Sequence, residues 1–182
     1  MQHLDRRTRT ALARWIATLV MAVLAAVLGR EYLPGGGGQS PTRGPPPERV
    51  AGAGRPIDGD SLFVGRDEVR LKGIDAPEGR QECQRDGARW ACGTAAHEQL
   101  RDLIGKDVVQ CRVVERDRHQ RLLAFCTAGN RDLNSSMVAA GMAVAYGGYV
   151  REEGEAKARK KGLWNSQFER PRAWRDEHRR GS

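Results

Sequence analysis

The chain has 182 residues, room for one ordinary domain plus extensions. Only 39% of the residues are hydrophobic and 5% aromatic, so the core has to be small and largely aliphatic. A net charge of +8 suits a polyanionic partner, either nucleic acid or an anionic membrane surface. The four cysteines (Cys83, Cys92, Cys111, Cys126) form no CxxC pair and have no histidine at zinc-ligand spacing, which argues against a zinc knuckle.

Residues 1–14 carry Arg6, Arg7, Arg9 and Arg14 against one acid, Asp5, and an uncharged, almost wholly apolar run follows from Trp15 to Leu28. A basic stretch ahead of an apolar run is an export signal. Its fourteen residues suit a signal peptide better than a full span of about 20. No clean A-x-A cleavage site follows, however, so residues 1–29 read as either a cleaved signal peptide or a signal-anchor. By the positive-inside rule the remainder lies outside the cytoplasm, periplasmic or secreted, with a membrane tether if the leader is retained. An even cysteine count behind such a leader reads as two disulfides. Three pairings exist, and locality favours Cys83–Cys92 and Cys111–Cys126. Residues 30–48, with four consecutive glycines and several prolines, cannot bury a core and read as a linker.

The folded domain is expected over residues 49–164. Residues 50–57, 61–64 and 68–74 read as short strands separated by glycine-marked breaks. Residues 81–93 read as a charged, glycine-containing loop. Residues 94–104 read as a helix with Ala96, Leu100, Leu103 and Ile104 on one stripe, Thr94 as its cap and Gly105 as its end. Residues 107–114 and 121–128 read as two further strands. Residues 132–140 read as a short helix capped by Asp132 or Asn134, with Leu133 and Met137 inward and Gly141 as the stop. Residues 142–146 are extended, and 151–161 read as a charged helix. From Glu155 onward nine Lys/Arg face four Asp/Glu, and Trp164, Phe168 and Trp174 are spaced through this stretch. Residues 165–182 read as a basic tail whose aromatics pack it onto the domain.

The order contains no βαβ repeat. It implies an α+β, mainly β fold: a small, mostly antiparallel five-stranded barrel with about three flanking helices.

The chemistry-bearing residues concentrate between Pro56 and Glu78. Asp58-Gly59-Asp60 opens this stretch, Asp75-Ala76-Pro77-Glu78 closes it, and Arg70 lies between. Hairpin pairing would bring both acidic turns to one mouth. Two carboxylates on adjacent turns, a backbone carbonyl and water suit calcium, which takes six to eight oxygens in irregular geometry. Asp-Gly-Asp is also simply good turn chemistry, and Asp58 is read that way. Arg121 opens a strand directly after a charged turn. Two arginines converging on one phosphate give bidentate hydrogen bonds and neutralise developing charge.

The pattern I-D-G-D-S, then V-R-L-K-G-I-D-A-P-E, D-R-H-Q-R-L-L-A, D-L-N and G-L-W, resembles the staphylococcal nuclease-like (thermonuclease) family from about Val50 to Trp164. The resemblance implies an OB-type five-stranded barrel with three helices. It implies Asp60 and Asp75 as calcium ligands with the Ala76 backbone carbonyl, Glu78 as general base, and Arg70 and Arg121 as phosphate-binding arginines. It further implies cleavage of the 5′ P–O bond of DNA or RNA with little sequence specificity, leaving 3′-phosphate ends. His119, Tyr146 and Tyr149 fall in regions that contact nucleotide in the family. Three positions depart from the pattern: Ala76 replaces threonine, His119 replaces tyrosine, and Gln120 replaces a glycine. If position 120 needs a positive φ, glutamine is strained there and re-aims Arg121. Single-stranded DNA or RNA is the favoured partner, for a chain expected to act as a monomer. The rival expectation is a non-catalytic nucleic-acid-binding OB module on the cell envelope.

Overall fold

The computed structural model describes residues 44–180. The proposed leader at 1–29 and most of the proposed linker lie outside the described residues. In chain order the elements are β1 (Arg49–Pro56), β2 (Ser61–Val64), β3 (Asp67–Leu71), β4 (Ile74–Asp75), β5 (Cys83–Arg85), β6 (Ala88–Trp90), α1 (Cys92–Ile104), β7 (Val108–Arg116), β8 (Leu122–Ala128), β9 (Arg131–Asp132), α2 (Leu133–Ala139), β10 (Val144–Ala145), α3 (Val150–Ala158), a 3₁₀ turn (Gly162–Asn165) and α4 (Pro171–Arg180).

Strands β3-β2-β1-β7-β8 are hydrogen-bonded in that order, and β3 pairs with β8 to close a five-stranded barrel. All of these pairings are antiparallel except the closing one, in which Val69, Arg70 and Leu71 run parallel to Leu122, Leu123 and Ala124. The expected barrel therefore forms, with one parallel seam. Its interior is aliphatic, as the composition requires. Leu62, Val69, Leu71, Val109, Leu122 and Ala124 from the strands meet Leu100 of α1 and Leu133 and Met137 of α2, all at or near zero exposure. Each such leucine contributes roughly 1.5–3 kcal/mol by leaving water.

Local chemistry explains most element boundaries. Asp132 caps α2 by accepting from the Ser135 N–H at 2.9 Å. Asn134, the alternative cap, is instead buried, where it accepts from the Cys126 N–H and donates to the Lys72 and Ala124 carbonyls. Thr94 does not cap α1. The helix begins two residues earlier, at Cys92, with no side-chain cap. Its first turn is fixed covalently instead, by the Cys83–Cys92 disulfide. Residues 81–93 are not a plain loop either. They hold the β5–β6 hairpin, turned by Asp86-Gly87 at φ 52° and 79°, the pair of positive φ values a two-residue primed turn needs. The second disulfide, Cys111–Cys126, joins residues directly opposite each other on β7 and β8.

The C-terminal stretch folds back onto the domain. Gln167 bridges to Gln84 of β5 through two backbone hydrogen bonds of 2.8 and 2.9 Å. Phe168 meets Trp164 edge-on at 5.1 Å, beside a small core of Cys83, Cys92, Val144 and Leu163. The buried Glu153 carboxylate accepts from Lys157, from the Ala145 N–H and from Arg170, tying α3 to the segment leading into α4. Burial works against ionisation of Glu153, but these donors outweigh it and hold its pKa below the ordinary value. Four helices are thus present among the described residues, the fourth being the folded-back α4. Pro171 starts it at the position where a missing N–H costs nothing.

Candidate active site

The two acidic turns do meet. Asp58 Oδ1 accepts from the backbone N–H groups of Asp60 at 2.9 Å and Ser61 at 2.7 Å, so this side chain shapes the turn, as read from the sequence. Gly59 is required there, because a Cβ would sit 2.7 Å from the Cβ atoms of both Ala76 and Ala96. Close packing of that turn leaves Asp60 buried, with its Oδ2 accepting from the Ala76 N–H at 2.9 Å.

Arg70 reaches across from β3. Its Nη2 lies 2.8 Å from Asp60 Oδ2 and 2.9 Å from Asp75 Oδ1. One guanidinium nitrogen therefore sits between two carboxylates whose side chains are only 3% and 4% exposed. Burial, the strongest influence, pushes the Asp60 carboxyl up to about 8 against the lowering pull of Arg70, with Asp58 and Asp75 adding repulsion. The pair of acids is short of positive charge.

Glu78 stands on the same side, on a turn held from three directions. Its N–H donates to Gln81 Oε1 at 3.2 Å, and its carbonyl accepts from the Gln81 N–H at 2.7 Å. The Gln81 carbonyl accepts from Gly93 at the start of α1, and Gln81 Nε2 donates to the Glu169 carbonyl at 2.7 Å. Gly93 permits this docking, since a Cβ there would lie 1.8 Å from the Glu78 carbonyl oxygen. Gln81 is 1% exposed, and sequence reading gave it no role.

Asp58, Arg70, Asp75 and Glu78 border one open cleft of about 1580 Å³, whereas the buried Asp60 does not line it. Arg121 and His119 line it from the β7–β8 turn, and Tyr146 and Tyr149 from the segment after β10. The Arg121 guanidinium is held by Asp117, with Nε and Nη2 each 2.8 Å from Oδ2, and touches none of the three acids. His119 donates its backbone N–H to Asp117 Oδ1. Tyr146 is exposed, while Tyr149 is half-buried against Gly73, where burial raises its hydroxyl to about 12. Gln120 does adopt φ 68°, a left-handed conformation costing a side-chain-bearing residue on the order of 1 kcal/mol. Gln120→Gly is therefore expected to raise stability by about 0.5–1 kcal/mol in urea denaturation, the gain being trimmed by the freer unfolded chain. An unchanged or lower midpoint would show that the turn carries no strain.

One site residue lies beyond the stretch that sequence reading connected to the cleft. Arg175 of α4 places Nη1 2.8 Å from Asp75 Oδ1 and 2.7 Å from Glu78 Oε1, with Nη2 3.1 Å from Asp75 Oδ2. Burial disfavours its charge, but Asp75 and Glu78 outweigh that and raise its pKa further. Arg172 and Trp174 of the same helix also line the cleft. The basic balance and Trp174 were visible signals, but neither says which arginine turns inward.

A model of the staphylococcal nuclease homologue family matches residues 68–166. The chain belongs to that family. A probable endonuclease of Verticillium alfalfae is 33% identical over 127 residues, 59% of this chain and 43% of its own. An uncharacterized endonuclease of Haemophilus influenzae is 34% identical over 116 residues, 59% of this chain and 60% of its own. A micrococcal nuclease of Shigella flexneri is 34% identical over 143 residues, 66% of this chain and 77% of its own. The match thus spans about half the length of the first two of these staphylococcal nuclease relatives. Within the family-matched range fall Arg70, Asp75, Glu78 and Arg121; Asp60 precedes it, and α4 follows it.

Proposed function

We propose that this protein is a calcium-dependent endonuclease that hydrolyses DNA or RNA with little sequence preference and leaves 3′-phosphate ends. The observation that carries this reading is that Arg70 joins Asp60 to Asp75 and Arg175 joins Asp75 to Glu78, beside one cleft that Arg70, Asp75, Glu78 and Arg121 all line. Its support from kinship is that relatives in the family are named nucleases and endonucleases.

The donor set is all oxygen and suits a hard cation. Among the described residues no three His, Cys, Asp or Glu side chains are grouped to hold a metal on their own. The proposed seat is therefore two carboxylates, Asp60 and Asp75, completed by the Ala76 backbone carbonyl and water. Asp60 is pushed up to about 8 although it shares Arg70 with Asp75, a charge deficit that a divalent cation would relieve, while Asp75 is also paired with Arg175. Calcium bound there supplies positive charge to a phosphate oxygen and to the attacking water.

The chain's own residues do the rest. Glu78 accepts the proton of the attacking water, whose oxygen forms a bond to phosphorus. The bond from phosphorus to the 5′-oxygen breaks, the electron pair leaves with that oxygen, and solvent returns a proton to it. Arg70 and Arg121 hold the phosphate and offset its growing negative charge. His119, Tyr146 and Tyr149 border the strand's path, and the +8 chain holds the polyanion through salt-sensitive contacts. Export through the N-terminal segment would place the site where calcium is abundant and disulfides persist.

The test is cleavage of single-stranded DNA and RNA by the full chain, with calcium and with excess EGTA. Cleavage that needs calcium and leaves 3′-phosphate termini is expected. Binding without cleavage would support the non-catalytic OB module instead, and cleavage that survives EGTA would remove calcium from the reading.

A further inference from the structure

Asp75 is saturated at Oδ1 and half occupied at Oδ2. Its Oδ1 accepts from Arg70 Nη2 and from Arg175 Nη1, and its Oδ2 accepts from Arg175 Nη2. A carboxylate oxygen has two lone-pair sites, so Oδ1 has none left for a cation while both guanidinium groups stay. Arg175 Nη1 also bonds Glu78 Oε1. This single side chain thus engages both a proposed metal ligand and the proposed base, and its charge fills part of the deficit that Arg70 alone leaves.

The helix carrying it is fastened at its N-terminal end. Before α4, Arg170 pairs with Glu153 at 3.2 Å, and the Glu169 carbonyl accepts from Gln81. Pro171 is buried at the helix start. The next residue, Arg172, meets the exposed Tyr146 hydroxyl at 3.3 Å. The deep contact of the helix with the acids runs through Arg175. That geometry is a helix anchored at its start whose Arg175 bridges two of the acids.

We propose that α4 is a built-in plug, in which Arg175 occupies the carboxylate seat a divalent cation needs, so that metal binding and withdrawal of α4 from the cleft are one coupled event. This rests on the calcium reading above and adds to it a segment outside the family-matched range 68–166. A cation that takes both oxygens of Asp75 competes with the Arg175 guanidinium, which bonds both, and its apparent affinity is lowered by the stability of the plugged state. Displacement also frees Glu78 Oε1 to accept a proton. The Arg175 contacts thus oppose the ion that completes the site, and that ion in turn breaks them.

The test is calcium titration calorimetry on the full chain at fixed ionic strength, with wild type, Arg175→Gln and Arg172→Gln. The Arg172 variant removes the same charge from the same helix without touching the acids. Arg175→Gln is expected to bind calcium at least about tenfold more tightly than wild type, the scale of lost charge-assisted hydrogen bonds, with Arg172→Gln within about twofold. Hydrogen exchange gives a second readout: calcium should speed amide exchange across residues 171–180 in wild type, while Arg175→Gln should exchange fast with or without it. Equal or weaker calcium binding by Arg175→Gln, or no exchange response in wild type, overturns the plug and leaves the calcium reading standing. Absence of calcium binding in all three proteins overturns the calcium reading itself, and the plug with it.

Discussion

Glu78→Gln is expected to lower turnover by at least about a hundredfold while leaving the fold intact, the usual scale for loss of a positioned general base. Glutamine keeps the shape and one carbonyl oxygen but cannot take a proton from water. The fold should tolerate the change because the turn is held by backbone and by Gln81, through the Glu78 N–H and carbonyl, and not by the Glu78 side chain. That side chain is 29% exposed, so no unpaired group is stranded in the interior. Single-turnover cleavage at saturating enzyme isolates the chemical step, and a rate within a few-fold of wild type would take the base assignment away from Glu78.

Arg70→Ala is expected to be costly twice over. It removes a proposed phosphate ligand, worth roughly a hundredfold or more in turnover. It also leaves the buried Asp60 without its arginine beside Asp75, which keeps Arg175. Breaking a buried ion pair on one side costs about 3–5 kcal/mol. The loss should depend on pH, and the sign follows from Asp60. Burial already raises its folded-state pKa from 3.8 to about 8, and Arg70 opposes that rise, so the variant's carboxyl lies higher still. A group with a raised folded pKa contributes its stability below the unfolded pKa and loses it as pH climbs toward the folded one. The deficit of Arg70→Ala relative to wild type should therefore be level well below pH 8, where both folded forms keep Asp60 protonated, and grow as pH rises above about 8, in calcium-free urea denaturation. A deficit independent of pH would mean that Arg70 does not hold these acids.

Much of the fold was legible because it rests on short-range rules. Alternating apolar residues mark the strands, and the stripe of Ala96, Leu100, Leu103 and Ile104 marks α1, where all are buried except Leu103, which is partly so. Local cysteine spacing anticipates both disulfides. The misses have physical causes. Thr94 looked like a cap, but a disulfide at Cys92 fixes the helix start without one. Asp86-Gly87 was a readable hairpin turn inside a stretch taken as loop. The parallel β3–β8 seam depends on barrel closure between segments some fifty residues apart, which no local pattern encodes. Gln120 stood out as a departure, and its positive φ bears out the concern about strain there, but only the fold showed that Asp117 is the group holding Arg121.

By itself the sequence determined the chemical inventory: two acidic turns flanking Arg70, a later Arg121, a basic surface and four pairable cysteines. Those are properties of residue type and spacing, and they suffice for the family. The tertiary structure alone decided which charges meet. Nothing in the chain order says that Gln81 fixes the Glu78 turn, or that Arg175, a hundred residues past Asp75, lies on it at 2.8 Å. Such long-range ion pairs follow from how the barrel closes and how the C-terminal stretch folds back across it. With so many surface arginines of equal intrinsic chemistry, only position in the folded molecule separates one from the rest.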